Sequence, residues 1–107
     1  MSVKLYGLKT CDTCRKALKE LSNVEFLDVR SDGVPDATLA RAVAQFGDGV
    51  TNKRSTTWRG LSDAERMRDP IELLSENPTL MKRPLIEMDG VLHMGWTEGT
   101  RKALGIS

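Results

Sequence analysis

The sequence predicts an α/β fold, on three observations. The first thirty residues alternate strand, helix and strand; capped helical segments fill the stretch from about residue 35 to 78; and the last thirty residues carry a hairpin signal followed by a closing helix.

Val3 to Tyr6, where Val3 and Leu5 alternate with Lys4, reads as a short strand bounded by Gly7. A helix should run from about Asp12, because Cys14, Ala17, Leu18 and Leu21 recur at helical spacing and form one apolar face. Thr10 or Asp12 is placed to cap its start, and Ser22 and Asn23 to end it. VEFLDV, residues 24–29, is β-branched and aromatic enough for a second strand. A single helix joins the two strands, so they should pair in parallel through a right-handed crossover.

SDGVPD breaks the pattern, and Asp36 can cap a helix whose Leu39, Ala42, Val43 and Phe46 share a face until GDGV ends it. TNKRSTTWRGLSDAER is polar and basic, and reads as a loop followed by a helical turn from near Ser62. DPIELLSENP carries a cap, a proline at the first helical position and an apolar core of Ile71, Leu73 and Leu74, stopping before Pro78. PLIEM, the turn signal DG and VLHMGW form a hairpin, and Thr97 can cap a final helix stopped by Gly105.

Strand–helix–strand plus a terminal hairpin and helix is the outline of a thioredoxin-like sheet. Residues 1–107 are then expected to be one domain, its core at about 1–34 and 79–107, with a helical insertion at about 35–78 between the second and third strands. A chain of 107 residues can bury such a core without disulfide or metal staples. A net charge of +1 gives no basis for a general nucleic-acid or membrane binder, and no apolar run approaches the length of a membrane span. MSVKLYGLKT lacks the basic-then-apolar pattern of a secretory signal, so a cytoplasmic location is expected. There a close cysteine pair is more often catalytic, redox-sensing or metal-binding than a structural bridge.

The two cysteines, Cys11 and Cys14, stand in CDTC where the first strand gives way to the first helix. A thiol is nucleophilic only as thiolate, and a cysteine just before a helix meets unpaired backbone N–H groups and the positive end of the helix dipole, which favour that anion. Cys11 is in this place, with Lys9, Arg15 and Lys16 as nearby positive charge and Asp12 opposing. Cys14 falls on the core face beside Leu18 and Leu21; it can be a resolving thiol or simply a small buried hydrophobe, and the residues leave both open. A zinc site would need further ligands, whereas the chain has no third cysteine and one distant histidine, His93; no metal is expected.

LMKRPL sets Lys82 and Arg83 before Pro84 and the hairpin. A proline before the third strand of a thioredoxin-like sheet commonly faces the thiol, often through a cis bond. That would bring Arg83 to Cys11, where its fork can hold an oxyanion or carboxylate and favour the thiolate. In NKRSTTWRGL, Arg54 and Arg59 can help to bind an anion or serve only as a solvated basic loop, and Trp58 reads as a packing anchor.

Taken together, YGLKTCDTCRKA, NKRSTTWRGLS and NPTLMKRPLIE resemble the ArsC family, which includes arsenate reductases, YffB-type thiol reductases and Spx-type regulators. The resemblance runs over nearly the whole chain and implies a thioredoxin-like fold with a helical insertion. It matches Cys11 to the family's nucleophile and Arg83 to the arginine before the proline. Arsenate reductases use three arginines; Asn52 stands where the central one would align, with Arg54 two residues on as a substitute, and Gly95 stands at the third. The texture is closest to the YffB-type members, which commonly lack a second cysteine, whereas Spx-type regulators use a CxxC pair as a redox switch.

The resulting expectation is a thiol-dependent reductase with no bound cofactor and with glutathione as reductant or co-substrate. Cys11 and Arg83 would be catalytic, Cys14 resolving if it takes part, and Asn52, Arg54 and Pro84 substrate-binding. The expected partners are glutathione, a small oxidised thiol or oxyanion, and glutaredoxin, with no nucleic acid and no membrane. The rivals are an arsenate reductase proper and a redox-sensing regulator that binds RNA polymerase.

Overall fold

The structure, a computed structural model, describes residues 3–21 and 23–105. The chain divides into two compact units, one made of the residues up to Asp32 with those from Arg83 onward, the other of Gly33–Lys82.

The first unit is a four-stranded mixed sheet with helices, a thioredoxin-like α/β arrangement. Strand β1 (Val3–Gly7) leads into helix α1 (Asp12–Glu20) and strand β2 (Val24–Asp28), and the hairpin β3 (Leu85–Met88) and β4 (Val91–Met94) leads into the last helix, Glu98–Ala103. The strand order is β2-β1-β3-β4. β1 and β2 pair in parallel, Val3 opposite Val24 and Gly7 opposite Asp28, as a helical connection between neighbouring strands requires. β3 runs antiparallel to β1, with Tyr6 opposite Leu85 and Val3 opposite Met88.

Alternation then sorts the side chains. Val3, Leu5 and Ile86 face one way and make a buried cluster with Cys14 and Ala17 of α1, against which Leu18, Leu21, Phe26, Trp96 and Leu104 also pack. Tyr6, Leu85 and Leu92 face the other way and are also buried. The first strand runs one residue further than VKLY, and the second ends at Asp28 rather than at residue 29. Asn23, expected to end α1, adopts a positive φ of 55°, while Ser22 lies outside the described residues.

Between β2 and β3 the chain is helical. In the second unit α2 (Asp36–Phe46) packs on the helix Pro70–Glu76 through Leu39, Ala42, Leu73 and Leu74, all buried. Pro35, not Asp36, is the capping position of α2, and Asp36 is the first helical residue, where its charge suits the helix dipole. GDGV continues as a 3₁₀ turn, Gly47–Val50, rather than stopping the helix outright. The stretch expected to be a loop holds a helical turn of its own, α3 (Thr56–Arg59), because the Ser55 hydroxyl accepts the Trp58 N–H and caps it. α4 (Asp63–Arg66) begins with a full capping box between Ser62 and Glu65, and α5 (Pro70–Glu76) has Asp69 as its cap and Pro70 at its first position. Among the described residues no helix is long and apolar enough to cross a membrane.

The β3–β4 turn places Asp89 at φ 52° and Gly90 at φ 80°, the left-handed pair that a two-residue hairpin loop needs. The last helix, α6, is capped by the Thr97 hydroxyl, which accepts the Thr100 N–H at 3.1 Å. Replacing Gly90 by alanine puts a Cβ into that left-handed conformation. The expected loss is about 1 kcal/mol, read as a lower urea midpoint at unchanged slope; an unchanged midpoint would show that the hairpin does not need this turn.

Candidate functional site

Cys11 occupies the capping position of α1, where Thr10 or Asp12 was expected. Its side chain makes no capping hydrogen bond by strict geometry. The N–H groups of Cys14 and Thr13, two of the helix's unpaired donors, nevertheless point at the sulfur and favour its anion. The turn that presents it is closed by the Cys11 N–H donating to the Leu8 carbonyl at 3.1 Å. Both thiols are free; Cys11 is half-buried, with its flank against the core cluster, and Cys14 is fully buried.

The sheet explains why Arg83 is there as well. β1 ends at Gly7 and β3 begins at Leu85, antiparallel and adjacent, so the loop leaving β1 and the residues entering β3 lie at the same end of the sheet. The Arg83 guanidinium hydrogen-bonds to the Cys11 sulfur, and the Arg83–Pro84 peptide bond is cis, with Pro84 buried. Burial pushes the Cys11 thiol up. The backbone N–H and the thiol of Cys14, the Arg83 guanidinium and the Thr13 N–H together outweigh it, so Cys11 titrates below the ordinary cysteine value.

Cys14 goes the other way. Burial raises its thiol to about 11, against the pull of the Leu8 N–H, and the hydrogen bond to Cys11 and the charge of Cys11 raise it further while Arg83 opposes. At neutral pH Cys14 therefore keeps its proton and donates it to the Cys11 sulfur. Its own sulfur packs on the backbone of Gly7, where a Cβ would lie 2.5 Å away. Gly7 carries this close approach, and the sequence marked it only as the end of a strand.

The lysines and arginine that flank Cys11 in sequence make contacts elsewhere. Arg15 Nε donates to the Lys9 carbonyl at 2.9 Å and its guanidinium faces Asp12 at 3.8 Å, while Lys9 Nζ lies 6.0 Å from the centroid of the Phe26 ring. Lys16 lines a groove along α1. The cation that bears on Cys11 is Arg83, not Lys9, Arg15 or Lys16.

Asn52 and Arg54 belong to the second unit, where they line a cavity of about 540 Å³ with Thr51, Lys53, Lys82 and Asp48. The Asn52 N–H donates to the Leu80 carbonyl at 2.7 Å, beside an isolated bridge between Thr51 and Met81. Asn52 Oδ1 accepts the Arg54 N–H at 3.1 Å, and its carbonyl accepts the Ser55 hydroxyl at 2.8 Å. This local wiring fixes the loop and leaves three basic side chains around the cavity. Trp58 has Lys53 Nζ 5.7 Å and the Arg66 guanidinium 5.5 Å from its ring, and Arg66 also donates to the Trp58 and Arg59 carbonyls, so the tryptophan anchors the short helices. Gly95 has φ 78° and carries no side chain toward any anion.

Comparison with known proteins agrees with this architecture. The sequence signature of the ArsC family matches residues 6–104. An uncharacterized protein of Haemophilus influenzae is 44% identical over 105 residues, spanning 90% of this chain and 92% of its own length. Global transcriptional regulator Spx 2 of Lactococcus lactis is 27% identical over 106 residues, spanning 90% of this chain and 80% of its own. The solved structure of a protein named YFFB superposes with a TM-score of 0.86 at 32% identity, covering 94% of this chain and 96% of that one.

The contact between Gly7 and Cys14 has a measurable consequence. Gly7→Ala should cost about 1–3 kcal/mol through overpacking, and most of that loss should vanish when the same change is made in a Cys14→Ala background. Denaturation of the four proteins in the cycle checks it; fully additive losses would show that the sulfur is not what the alanine strikes.

Proposed function

The chain belongs to the ArsC family, and we propose that it is a thiol-dependent reductase in which Cys11 is the nucleophile and glutathione the reductant. The observation that carries this reading is a free, half-buried thiol at a helix N-terminus with an arginine bonded to its sulfur and its titration shifted down. Groups that hold the anion there make Cys11 more reactive than an ordinary cysteine and a better leaving group afterwards.

In the proposed cycle the Cys11 thiolate attacks the glutathionyl sulfur of a mixed disulfide. The S–S bond breaks, the substrate sulfur leaves as a thiolate and takes a proton from solvent, and Cys11 is left bonded to glutathione. The thiolate of a second glutathione attacks that adduct, glutathione disulfide departs, and the Cys11 thiolate returns. Net, the substrate is reduced to its thiol while one glutathione thiol is oxidised. Arg83 stabilises Cys11 before attack and again as it leaves.

Release by glutathione is favoured over release by Cys14. Burial, the largest cause of its raised thiol, persists when Cys11 carries the adduct and keeps Cys14 mainly protonated at neutral pH, and an attacking thiol works through its thiolate fraction. Its part in the proposal is to donate a hydrogen bond to Cys11. The cavity around Asn52 and Arg54 is proposed as an anion site on the strength of its basic lining. An arsenate reductase reading keeps one arginine, Arg83, of the family's three, with Asn52 and Gly95 at the other two positions. The redox-sensor reading draws on the Spx relative and on the hydrogen-bonded CxxC pair, and it requires an internal Cys11–Cys14 disulfide.

Cys11→Ser should reduce glutathione-dependent turnover of a mixed-disulfide substrate to background. Arg83→Ala should lower kcat/KM by about tenfold or more, the loss of one charge-assisted bond. After exposure to glutathione disulfide, mass spectrometry should find the glutathione adduct in wild type and Cys14→Ala alike. An adduct that persists only in Cys14→Ala, with an internal disulfide in wild type, would replace this cycle with the redox-sensor reading.

A further inference from the structure

A second constellation, separate from the thiol, lies within the first unit along α1 and α6. A groove of about 550 Å³ is lined by Lys16, Lys19, Glu20, Trp96, Glu98 and Arg101. Its floor is fixed by one carboxylate. Glu20 Oε2 accepts the Trp96 indole N–H at 2.5 Å, and Glu20 Oε1 accepts from the Arg101 guanidinium at 2.9 Å. These bonds tie the end of α1 to the β4–α6 connection and hold the indole edge and the guanidinium in place. Trp96 also packs against the buried cluster of Val3, Leu5, Cys14, Ala17 and Ile86, so its ring is braced from behind.

The balance of donors and acceptors is uneven. Both oxygens of Glu20 are engaged, and Glu98 faces Lys102 at 3.5 Å. On the donor side, the Arg101 Nε is buried with no hydrogen-bond partner among the described residues. No ion pair forms for Lys16 or Lys19 among the described residues. The groove therefore offers two ammonium groups and the Arg101 guanidinium beside an aromatic wall, with its carboxylates already engaged. A braced tryptophan beside cations suits a flat, negatively charged molecule. The volume is that of a small-molecule site rather than of a protein interface.

We propose that this groove binds a small organic anion with a planar apolar body, an aromatic phosphate or carboxylate. Lys16 and Lys19 receive the charged group beside the Arg101 guanidinium, and the ring lies against Trp96. Glu20 acts as the positioning residue that presents both Trp96 and Arg101. This site shares no residue with Cys11, Arg83 or the cavity around Asn52, so its occupancy is independent of the reductase reading.

The probe is 1-naphthyl phosphate, titrated into ¹⁵N-labelled protein, with inorganic phosphate and 1-naphthol as arms that carry the charge and the ring separately. The expected result is saturable movement of the Trp96 indole N–H resonance, assigned through Trp96→Phe, together with amides of 16–20 and 96–101. Each separate arm should bind at least about tenfold more weakly, a difference of about 1.4 kcal/mol. The double variant Lys16→Ala/Lys19→Ala keeps the helix, because alanine is the best helix former, and should weaken the probe by about tenfold. Glu20→Gln should weaken it too, with the Trp96 indole resonance displaced before any probe is added. The proposal is overturned if the shifts do not saturate, if they centre on residues 51–54, if phosphate alone binds as well as the full probe, or if the double lysine variant binds unchanged.

Discussion

A sulfur anion has to be held at a half-buried position, and the first unit is arranged around that requirement. Partial burial alone would keep Cys11 protonated. What reverses the balance is a set of donors brought from two directions: backbone N–H groups from the first turn of α1, and a guanidinium from the start of β3. Neither direction is free to vary. α1 must begin directly after β1 for its unpaired N–H groups to meet Cys11, and β3 must lie antiparallel beside β1 for Arg83 to reach the same end of the sheet. The parallel pairing of β1 with β2 in turn requires a crossover helix, and α1 is that helix.

The same packing separates the two cysteines chemically. Three residues of helix carry the chain from a half-exposed cap to the core face, and Gly7 lets the Cys14 sulfur seat directly on the strand backbone. Burial then makes Cys14 hold its proton to higher pH than Cys11 does. A CxxC spacing reads as a symmetric pair only while the chain is a string of letters; in the fold, one member is a nucleophile candidate and the other a hydrogen-bond donor to it.

Much of this was legible in the sequence, because the relevant signals are local. Alternation in VKLY, the helical spacing of Cys14, Ala17, Leu18 and Leu21, the DG turn and the Asp69–Pro70 start all depend on neighbouring residues, and all formed as expected. Arg83 could be placed beside Cys11 only through the fold, since it enters from a different strand. What stayed illegible has no local signature. Helix α3 has no apolar face to announce it and exists because Ser55 caps it and Arg66 binds its carbonyls. Lys9 and Arg15 looked like charges serving Cys11, yet each has a contact of its own, with the Phe26 ring and with the Lys9 carbonyl and Asp12. The Glu20–Trp96–Arg101 triad joins residues distant in sequence and depends on the register of the sheet and the placement of the last helix.

Arg83 and the helix N-terminus together favour ionisation of Cys11, and every other part of the site depends on that balance. Thiolate absorbance, followed through a pH titration of wild type, Cys11→Ser and Arg83→Ala, measures it directly. The expected result is a first transition below that of the same protein unfolded in denaturant, absent in Cys11→Ser and moved upward in Arg83→Ala. A first transition at or above that of the unfolded protein, or one that Arg83→Ala leaves in place, would overturn it.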